Sequence, residues 1–351
     1  MKAAVLEQLH KMVVQNVPDP VVGPDEALMK VAATSICGSD VRIFHHGNPR
    51  VRMPTIIGHE TAGTIVQVGR NVTRVKVGDR VAIGADVPCG QCSWCRNGMG
   101  NNCSINYAMG YQFQGAFAEY LKLPQLCLEQ GPVTSFDSTK LSFVEAALAE
   151  PLACAINGFE LVNLSLGKSV VIIGLGPIGC MMIDLARAMG ATNVIGIQRS
   201  RQRMEIAKTY GADAYLYSAE EDIVKRCREL TGGQGPDIVI TSCGTVEAHE
   251  QAIEMVAHRG YVNLFGGLPN DMRPMSLLSN VIHYKECFVT GSHGSVPRHH
   301  ELAVRLLEQK MVRVKPLITH SYPLDEIEQA FVTMESRQGM KVAVLPNGNQ
   351  N

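Results

Sequence analysis

The first third of the chain alternates apolar and polar residues over short stretches that are punctuated by glycine and proline. The alternation is clear in residues 29–32, 64–68 and 79–83, and Gly69 and Gly78 stand at the intervening turns. A period of two residues is typical of β-strands that bury one face. This part of the chain is therefore predicted to form a compact β-rich domain.

A different pattern begins at Ser169. Residues 170–173 form an apolar run, followed by a glycine-rich turn and a predicted helix over about 179–189. Further apolar runs alternate with helical segments, at residues 194–197, 237–240 and 261–265. Apolar strands that alternate with helices indicate a parallel, doubly wound sheet. The sequence thus predicts an α/β protein with a second domain of this kind.

Two further segments flank this second domain. Residues 143–159 have helical periodicity and precede it, whereas residues 301–309 and 318–345 have the pattern of helix plus strand. We expect the later segment to rejoin the first domain. A length of 351 residues also favours two domains, because it exceeds what one hydrophobic core usually supports.

Charge and composition exclude several classes of function. The chain has 32 Lys+Arg against 33 Asp+Glu, so it has no basic field that would attract nucleic acid or anionic lipid. Its start lacks the apolar region of a signal peptide, and its longest apolar stretch is too short for a membrane span. We therefore expect a cytoplasmic protein with no nucleic-acid or membrane partner.

The glycine-rich turn matches the dinucleotide-binding pattern G-x-G-x-x-G in the setting that this pattern requires, after a buried strand and at the start of a helix. The first glycine permits a tight turn, the second lets the pyrophosphate approach the backbone, and the third allows close helix–strand packing. The predicted cofactor-binding residues of the turn are Gly174, Gly176, Pro177, Ile178 and Gly179.

The end of the next predicted strand indicates which dinucleotide is preferred. An acidic residue there would bind the ribose 2′-hydroxyl of NAD, but this chain has Gln198, followed by Arg199, Arg201 and Arg203. Arginines pair with a 2′-phosphate, which an acid would repel. NADP(H) is therefore favoured over NAD(H), and the alternative is that the arginines only form a solvated helix start.

Four of the eleven cysteines lie in one short stretch rich in glycine, namely Cys89, Cys92, Cys95 and Cys103. Four thiolates complete the tetrahedral coordination of zinc and leave no open position, which is typical of a structural site. A redox dithiol and an iron–sulfur cluster are the alternatives, but no partner motif for electron transfer is visible. Without a secretory signal, metal binding is favoured over disulfides.

A second candidate metal site is scattered along the sequence. It comprises Cys37, His59, Glu60 and Glu150. Thiolate, imidazole and carboxylate are the side-chain ligands of zinc, and a catalytic zinc site uses three of them and keeps a fourth position open. Each residue taken alone has a more ordinary explanation, since a lone cysteine is usually a small buried apolar group.

The motifs around these residues resemble the zinc-containing medium-chain dehydrogenases/reductases over essentially the whole chain. The resemblance rests on Cys37-Gly38-Ser39-Asp40, Gly58-His59-Glu60, the cysteine stretch, Glu150-Pro151-Leu152 and the glycine turn, in the family's order and spacing. It implies a GroES-like catalytic domain over 1–152 with a structural zinc lobe at about 85–110, a Rossmann domain over 153–290, and a return to the catalytic domain over 291–351. It also implies an active site in the cleft between the domains and a homo-oligomer, either tetramer or dimer.

Glu150 places the chain within this family. The family's alcohol dehydrogenases have a cysteine at that position, whereas polyol and threonine dehydrogenases have glutamate, and the chain looks most like the polyol dehydrogenases. Two positions differ from sorbitol dehydrogenases, with Arg42 in place of a histidine at the outer end of the proton path and Gly294-Ser295 in place of an Arg-Tyr pair.

The resemblance also implies roles for individual residues. Cys37, His59 and Glu60 match metal ligands, and Glu150 matches either a fourth ligand or the carboxylate that holds the zinc-bound water. Ser39 matches the hydroxyl that passes the alcohol proton outwards, and Asp40 matches the carboxylate that orients His59.

The expected activity is the reversible oxidation of a secondary alcohol of a polyol to a ketose, with NADP(H) and two zinc ions per chain. A phosphorylated substrate remains possible because of Arg42, Arg50 and Arg52. The alternatives are oxidation of an amino alcohol, as in L-threonine 3-dehydrogenase, a non-catalytic zinc- or nucleotide-binding relative, and a zinc-free quinone reductase.

Overall fold

The structure is a computed structural model, and it describes residues 1–269, 272–277, 279–337 and 339–348. The chain forms two compact units. The first unit comprises Met1–Cys154, Gly294–Lys310 and the chain from Val314 onward. The second unit comprises Ala155–His293 and Met311–Arg313.

The strands of both units follow in chain order. They are β1 (Lys2–Gln8), β2 (Lys11–Asn16), β3 (Ala27–Ser35), β4 (Glu60–Val68), β5 (Arg80–Ile83), β6 (Asp86–Val87), β7 (Tyr107–Ala108), β8 (Tyr120–Leu123), β9 (Val133–Ser135), β10 (Ser169–Ile173), β11 (Asn193–Gln198), β12 (Ala214–Tyr217), β13 (Ile238–Thr241), β14 (Tyr261–Leu264), β15 (Phe288–Gly291), β16 (Ile318–Pro323) and β17 (Lys341–Leu345).

The α-helices are α1 (Gly38–His46), α2 (Ser93–Arg96), α3 (Gln125–Gln130), α4 (Phe143–Ala147), α5 (Ala149–Glu160), α6 (Pro177–Ala188), α7 (Arg201–Lys208), α8 (Ile223–Leu230), α9 (Val246–Met255), α10 (Ser279–Lys285), α11 (Pro297–Glu308) and α12 (Ile327–Glu335). Short 3₁₀ helices lie at Gly100–Asn102, Lys315–Leu317 and Leu324–Glu326. In the part of the chain that the structure describes, no helix is long and apolar enough to cross a membrane.

The first unit is built on a largely antiparallel sheet with the strand order β16-β17-β3-β4-β5-β9, and β8 also pairs with β3. In its centre, Ser35 of β3 lies opposite both Glu60 of β4 and Ala343 of β17. This register brings the start of β4 and the C-terminal strand β17 to the same end of β3. One core cluster packs Phe117 and Phe331 under the sheet, and both rings are buried.

The second unit is a parallel sheet with the strand order β12-β11-β10-β13-β14-β15. The apolar residues of β10 and β13 are fully or almost fully buried, as strands covered by helices on both faces must be. The order reverses between β10 and β13, and this is the switch point at which doubly wound folds bind nucleotides. The predicted α/β fold class is confirmed.

Several local predictions differ from the observed elements. The helix expected over 143–159 is two helices, α4 and α5, separated at Leu148. Pro151 lies in the first turn of α5, where its missing N–H costs nothing, and in the interior of a single helix it would break the backbone bonding. Strands β12 and β15 were not predicted; they are four-residue strands at the two edges of the sheet.

Candidate active site, cysteine lobe and cofactor turn

Helix α1 and its N-cap position three of the predicted site residues, which are Cys37, Ser39 and Asp40. Cys37 is its N-cap, and Asp40 at the third helical position accepts a hydrogen bond from the Cys37 backbone N–H at 2.9 Å. Asp40 is fully buried. A carboxylate in the first turn also meets the positive end of the helix dipole, which stabilises its charge. The start of α1 therefore holds the Cys37 thiol in place.

The candidate ligand atoms of Cys37, His59 and Glu60 all lie within 4.8 Å of one another. His59 and Glu60 are buried and Cys37 is partly exposed. The Ser39 hydroxyl is 3.3 Å from His59 Nε2. A thiol, an imidazole and a carboxylate at this spacing match the donor chemistry of a zinc ion, and so the residues that are present fit that ion.

The carboxylate of Asp40 controls the protonation of His59. Asp40 Oδ1 lies 3.2 Å from His59 Nδ1, and neither atom has a partner of hydrogen-bond geometry. Burial alone would lower the pKa of His59, but the charge of Asp40, together with Cys37, raises this pKa well above its usual value. The imidazole is thus held beside a negative charge, as in metal sites in which a carboxylate orients a histidine ligand.

Glu60 has two close partners that the sequence did not reveal. Lys341 Nζ in β17 donates to Glu60 Oε1 at 2.6 Å and also to Oε2, and the Ser35 hydroxyl donates to Oε2. Lys341 and Glu60 are both buried. Burial lowers the pKa of Lys341, but Glu60 outweighs this effect and the pKa is raised. Both carboxylate oxygens are therefore occupied, and a metal ion would have to compete with Lys341 for them.

Glu150 lies in the first turn of α5 and is buried, but it is not part of the group within 4.8 Å. Cys154 Sγ donates to Glu150 Oε1 at 3.7 Å. Burial, with added repulsion from Glu60 and Asp86, raises the pKa of Glu150 to about 7. The negative charges of Glu60 and Asp86 thus act on Glu150. Within the described chain, no cationic group lies at hydrogen-bond distance from its carboxylate.

Tyr111 and Arg50 border the same site and were not identified from the motifs. The ring of Tyr111 lies 5.8 Å from the His59 ring, and the Arg50 guanidinium lies 4.9 Å above the Tyr111 ring. Arg50 donates to the Asn106 carbonyl through Nη2, and its buried Nε has no hydrogen-bond partner among the described residues. The Tyr111 ring therefore stands beside His59, and the Arg50 guanidinium lies over the Tyr111 ring.

The two positions that differ from sorbitol dehydrogenases have distinct environments. Arg42 is exposed on α1. Ser295 is buried, and its backbone N–H donates to Asp86 Oδ2 at 2.8 Å. Ser295 therefore takes part in the protein's own hydrogen bonding through its main chain.

The four cysteines of the lobe converge as predicted for a tetrahedral site. The Sγ–Sγ distances are 3.4 Å for Cys92–Cys95, 3.9 Å for Cys89–Cys95 and 4.0 Å for Cys92–Cys103. Four sulfurs at 2.3 Å from one zinc ion would be about 3.8 Å apart. All eleven cysteines of the chain are free thiols, so no disulfide competes with this arrangement.

Backbone amides point at the sulfurs of the lobe. The N–H groups of Gln91 and Cys92 donate to Cys89 Sγ, and the N–H of Cys89 donates to Cys103 Sγ at 3.2 Å. Backbone amides of Ser104 and Cys95 lower the pKa of Cys92 to about 5, so this thiol ionises readily. Such amides stabilise thiolates before any ion binds.

The glycine turn brings strand β10 and helix α6 close together. Gly174 follows β10 with a φ of 99°, and a Cβ there would lie 2.8 Å from Cys243 Cβ. A Cβ at Gly179 would lie 2.1 Å from the Gly174 carbonyl oxygen, so only glycine allows α6 to approach the strand this closely. Pro177 and Ile178 open α6, whose N-cap is Gly176. A Cβ at Gly176 would have only Arg203 Nη1 nearby, at 3.9 Å, which leaves its backbone open.

The basic residues after β11 have different environments. Gln198 Oε1 accepts hydrogen bonds from the backbone N–H groups of Arg199 and Ser200. Arg201 pairs with Glu220 at 2.5 Å and lies 5.0 Å above the Tyr217 ring. Arg199 is exposed. The charge of Arg201 is therefore partly compensated within the protein, whereas Arg199 faces solvent at the end of the strand.

Comparison with known proteins identifies the families to which the two units are similar. Two family profiles match the chain, "Alcohol dehydrogenase GroES-like domain" over residues 23–132 and "Zinc-binding dehydrogenase" over residues 177–309. They cover most of both units.

Relatives of full length have related names. The chain is 34% identical to an L-threonine 3-dehydrogenase of Caldanaerobacter subterraneus subsp. tengcongensis, over 99% of both chains. It is also 34% identical to a sorbitol dehydrogenase of Halalkalibacterium halodurans, again over 99% of both chains. A crystal structure described as a zinc-binding dehydrogenase of Sinorhizobium meliloti 1021 bound to NADP has a TM-score of 0.91 and 31% identity, covering 98% of this chain and 99% of that one.

Proposed function

Since the chain belongs to the zinc-dependent alcohol dehydrogenases of the medium-chain type and is an enzyme, we propose a specific reaction for it. The enzyme reversibly oxidises a secondary alcohol of a polyol to a ketose, with NADP(H) as the cofactor. The observation that carries the proposal is that the candidate ligand atoms of Cys37 and His59 lie within 4.8 Å of each other, with the Ser39 hydroxyl 3.3 Å from His59 Nε2. We assign catalysis to the first unit and cofactor binding to the second unit.

In this proposal Cys37 and His59 hold the catalytic zinc ion. When bound, the ion supplies a positive charge that lowers the pKa of the substrate hydroxyl. The Ser39 hydroxyl, 3.3 Å from His59 Nε2, would relay the alcohol proton outwards by accepting it while giving up its own proton to water. Asp40 keeps His59 in orientation through its contact with Nδ1. A nicotinamide cofactor bound to the second unit would supply the hydride acceptor.

We further propose that Glu150, and not Glu60, is the carboxylate available to the ion or to its water. Lys341 and Ser35 occupy both oxygens of Glu60. Burial raises the pKa of Glu150 to about 7, and the weak thiol of Cys154 donates a hydrogen bond to it. A nearby positive charge would therefore stabilise the ionised form of Glu150. In that case Glu60 would not bind the ion, and would instead form a buried ion pair with Lys341 next to the metal ligands.

The preference for NADP(H) is supported by Gln198 in place of an acid and by the exposed Arg199. The related structure from Sinorhizobium meliloti 1021 contains NADP. Because Arg201 is engaged by Glu220 and Tyr217, we assign the main contact with a 2′-phosphate to Arg199. Arg203, next to the glycine turn, lies nearer the pyrophosphate position.

Replacing Arg199 by alanine is expected to raise the KM for NADP+ by about 10- to 100-fold, since a hydrogen bond to a charged group contributes about 1.5–3 kcal/mol. The KM for NAD+ should stay unchanged, because NAD+ lacks the 2′-phosphate. Steady-state kinetics with both cofactors measure this. Arg259→Ala, which removes an exposed arginine of the same unit, is the matched control. An equal effect of Arg199→Ala on both cofactors would contradict the assignment.

A second candidate, the oxidation of L-threonine, is favoured by the 34% identical relative that bears this name. Arg50, whose guanidinium lies over the Tyr111 ring, would pair with the carboxylate of threonine or with the phosphate of a phosphorylated polyol.

A substrate panel distinguishes these candidates. The zinc-loaded enzyme is assayed with neutral C4–C6 polyols, their phosphate monoesters and L-threonine, each with NADP+ and NAD+, by following the absorbance of the reduced nicotinamide. We expect turnover of one polyol, or of its phosphate, at least about tenfold above L-threonine in kcat/KM, which is a difference of about 1.4 kcal/mol. Turnover of threonine alone would refute the polyol proposal and leave the zinc dehydrogenase assignment intact.

We propose that the enzyme is a homo-oligomer that pairs through β15. This strand is the last in its sheet, and its outer edge has no partner strand within the described residues. Phe288, Val289 and the nearby Tyr284 are exposed, Tyr284 to 71%. An apolar and unpaired strand edge is a template for pairing with another chain.

Replacing Val289 by lysine is expected to weaken this association by about tenfold or more, because a charge would be buried at the paired edge. Light scattering across a concentration series measures the oligomeric state. Leu166→Lys, at an exposed apolar position of the same unit, should leave the oligomer unchanged. A Val289→Lys protein with the wild-type association constant would contradict the proposed interface.

A further inference from the structure

Three side chains from separate elements meet at the surface of the first unit. His10 lies in the turn between β1 and β2, His45 in the last turn of α1, and Glu335 at the end of α12. His45 Nδ1 lies 3.0 Å from His10 Nδ1, and His45 Nε2 lies 2.8 Å from Glu335 Oε1. We refer to His10, His45 and Glu335 as the surface histidine cluster.

The carboxylate determines which nitrogen of His45 carries a proton. An ionised Glu335 only accepts hydrogen bonds, so His45 Nε2 must be the donor. In neutral His45 the lone pair is then on Nδ1, the atom that faces His10. A histidine that donates one ring N–H to a carboxylate and offers the other nitrogen to a metal ion is a recurrent arrangement in metal sites.

The backbone and a neighbouring ring hold the two imidazoles in place. His10 has a φ of 60°, and its backbone N–H donates to the Phe44 carbonyl at 2.9 Å. The Phe44 ring packs edge-on against both imidazoles, with centroid distances of 5.9 Å to His10 and 5.0 Å to His45. The side chain of His45 is 31% exposed, so water has access to the pair.

The separation of the two nitrogens suits a shared metal ion. Imidazole nitrogens bind zinc at about 2.0–2.1 Å, which places two ligands of one ion about 2.9–3.4 Å apart for bond angles between square and tetrahedral. The observed distance of 3.0 Å falls in this range. The alternative is a hydrogen bond between the two imidazoles, with a proton in place of the ion.

We propose that His10 and His45 form a third, exchangeable site for a divalent transition metal ion such as Zn²⁺ or Ni²⁺, with Glu335 orienting His45 and water completing the coordination. Imidazole ligands are suited to these ions. The bound ion would tie the β1–β2 turn to α1, the helix that begins at Cys37. This site shares no residue with the candidate catalytic site or the cysteine lobe, and its test does not depend on enzymatic activity.

The test is titration of the full-length, zinc-loaded protein with NiCl₂ in an isothermal calorimeter, with zinc content measured before and after. Wild type is expected to bind one further equivalent of Ni²⁺ without losing zinc. His10→Asn and His45→Gln should each weaken this binding by at least about tenfold, and Glu335→Ala by about 10- to 100-fold. Asparagine is chosen because it tolerates the positive φ of His10.

His258→Gln, which alters an exposed histidine of the second unit, should bind Ni²⁺ as wild type does. Thermal unfolding without Ni²⁺ confirms that each variant is folded. The proposal is overturned if wild type binds no further equivalent, if the equivalent replaces zinc, or if His10→Asn and His45→Gln bind Ni²⁺ as tightly as wild type. In any of these cases the pair is a hydrogen bond between imidazoles.

Discussion

Replacing Lys341 by methionine is expected to destabilise the protein by about 3–5 kcal/mol, because it leaves the buried carboxylate of Glu60 without its counter-ion. Ser35 would still donate one hydrogen bond to Glu60, but a neutral hydroxyl does not compensate a buried charge. The melting temperature should fall by on the order of 10 °C. Denaturant and thermal unfolding of the zinc-loaded enzyme measure both quantities.

The double variant Glu60→Gln with Lys341→Met is the matched control, because it removes both charges. It should recover a large part of the lost stability, since replacing both members of a buried ion pair costs much less than removing one member. If Lys341→Met alone were as stable as wild type to within about 1 kcal/mol, Glu60 would not depend on Lys341 for its charge. The proposed division of roles between Glu60 and Glu150 would then lose its basis.

Replacing Cys95 by serine is expected to remove one zinc ion per chain and to unfold the cysteine lobe. Cys95 Sγ lies 3.4 Å from Cys92 Sγ and 3.9 Å from Cys89 Sγ, so it contributes one corner of the proposed tetrahedron. Structural zinc contributes about 10–16 kcal/mol in isolated zinc-binding peptides, which makes this loss one of the largest for any single substitution. Elemental analysis measures the zinc content, and limited proteolysis measures the order of the lobe.

Cys287→Ser provides the control for this substitution, because Cys287 is a buried free thiol of the second unit and lies outside both candidate metal sites. This variant should keep two zinc ions per chain. A Cys95→Ser protein with two zinc ions would mean that Cys95 is not a required ligand, which would contradict the proposed four-thiolate site. Loss of both ions would show that the lobe and the catalytic site are coupled.

Features that depend on neighbouring residues could be predicted from the sequence alone. The strand–glycine turn–helix of residues 169–188 was recognised because each glycine serves backbone geometry within that turn, as the close approach at Gly179 shows. The cysteine lobe was recognised because its four thiols share one short loop, and they do converge. The α/β fold followed from the period of the apolar residues.

Other features depend on the pairing of distant strands and were decided only by the tertiary structure. Lys341 reaches Glu60 because Ser35 lies opposite Glu60 on one side and Ala343 on the other, a register that no local motif encodes. The same holds for Tyr111 beside His59 and for Arg50 over the Tyr111 ring. The break between α4 and α5 is, by contrast, a local feature. It could have been anticipated from Pro151, because proline is tolerated in the first turn of a helix and not in its interior.

The sequence by itself thus determined the fold class and the cysteine lobe, because these follow from apolar periodicity and local spacing, whereas the enzyme family and the scattered catalytic ligands were inferred from a resemblance of motifs. The tertiary structure decided which charges meet. It paired Glu60 with Lys341, engaged Arg201 with Glu220, and left Arg199 exposed. These pairings set how strongly a ligand must compete for each charge, and the competition is stronger for the buried Glu60–Lys341 pair than for the exposed Arg201–Glu220 pair.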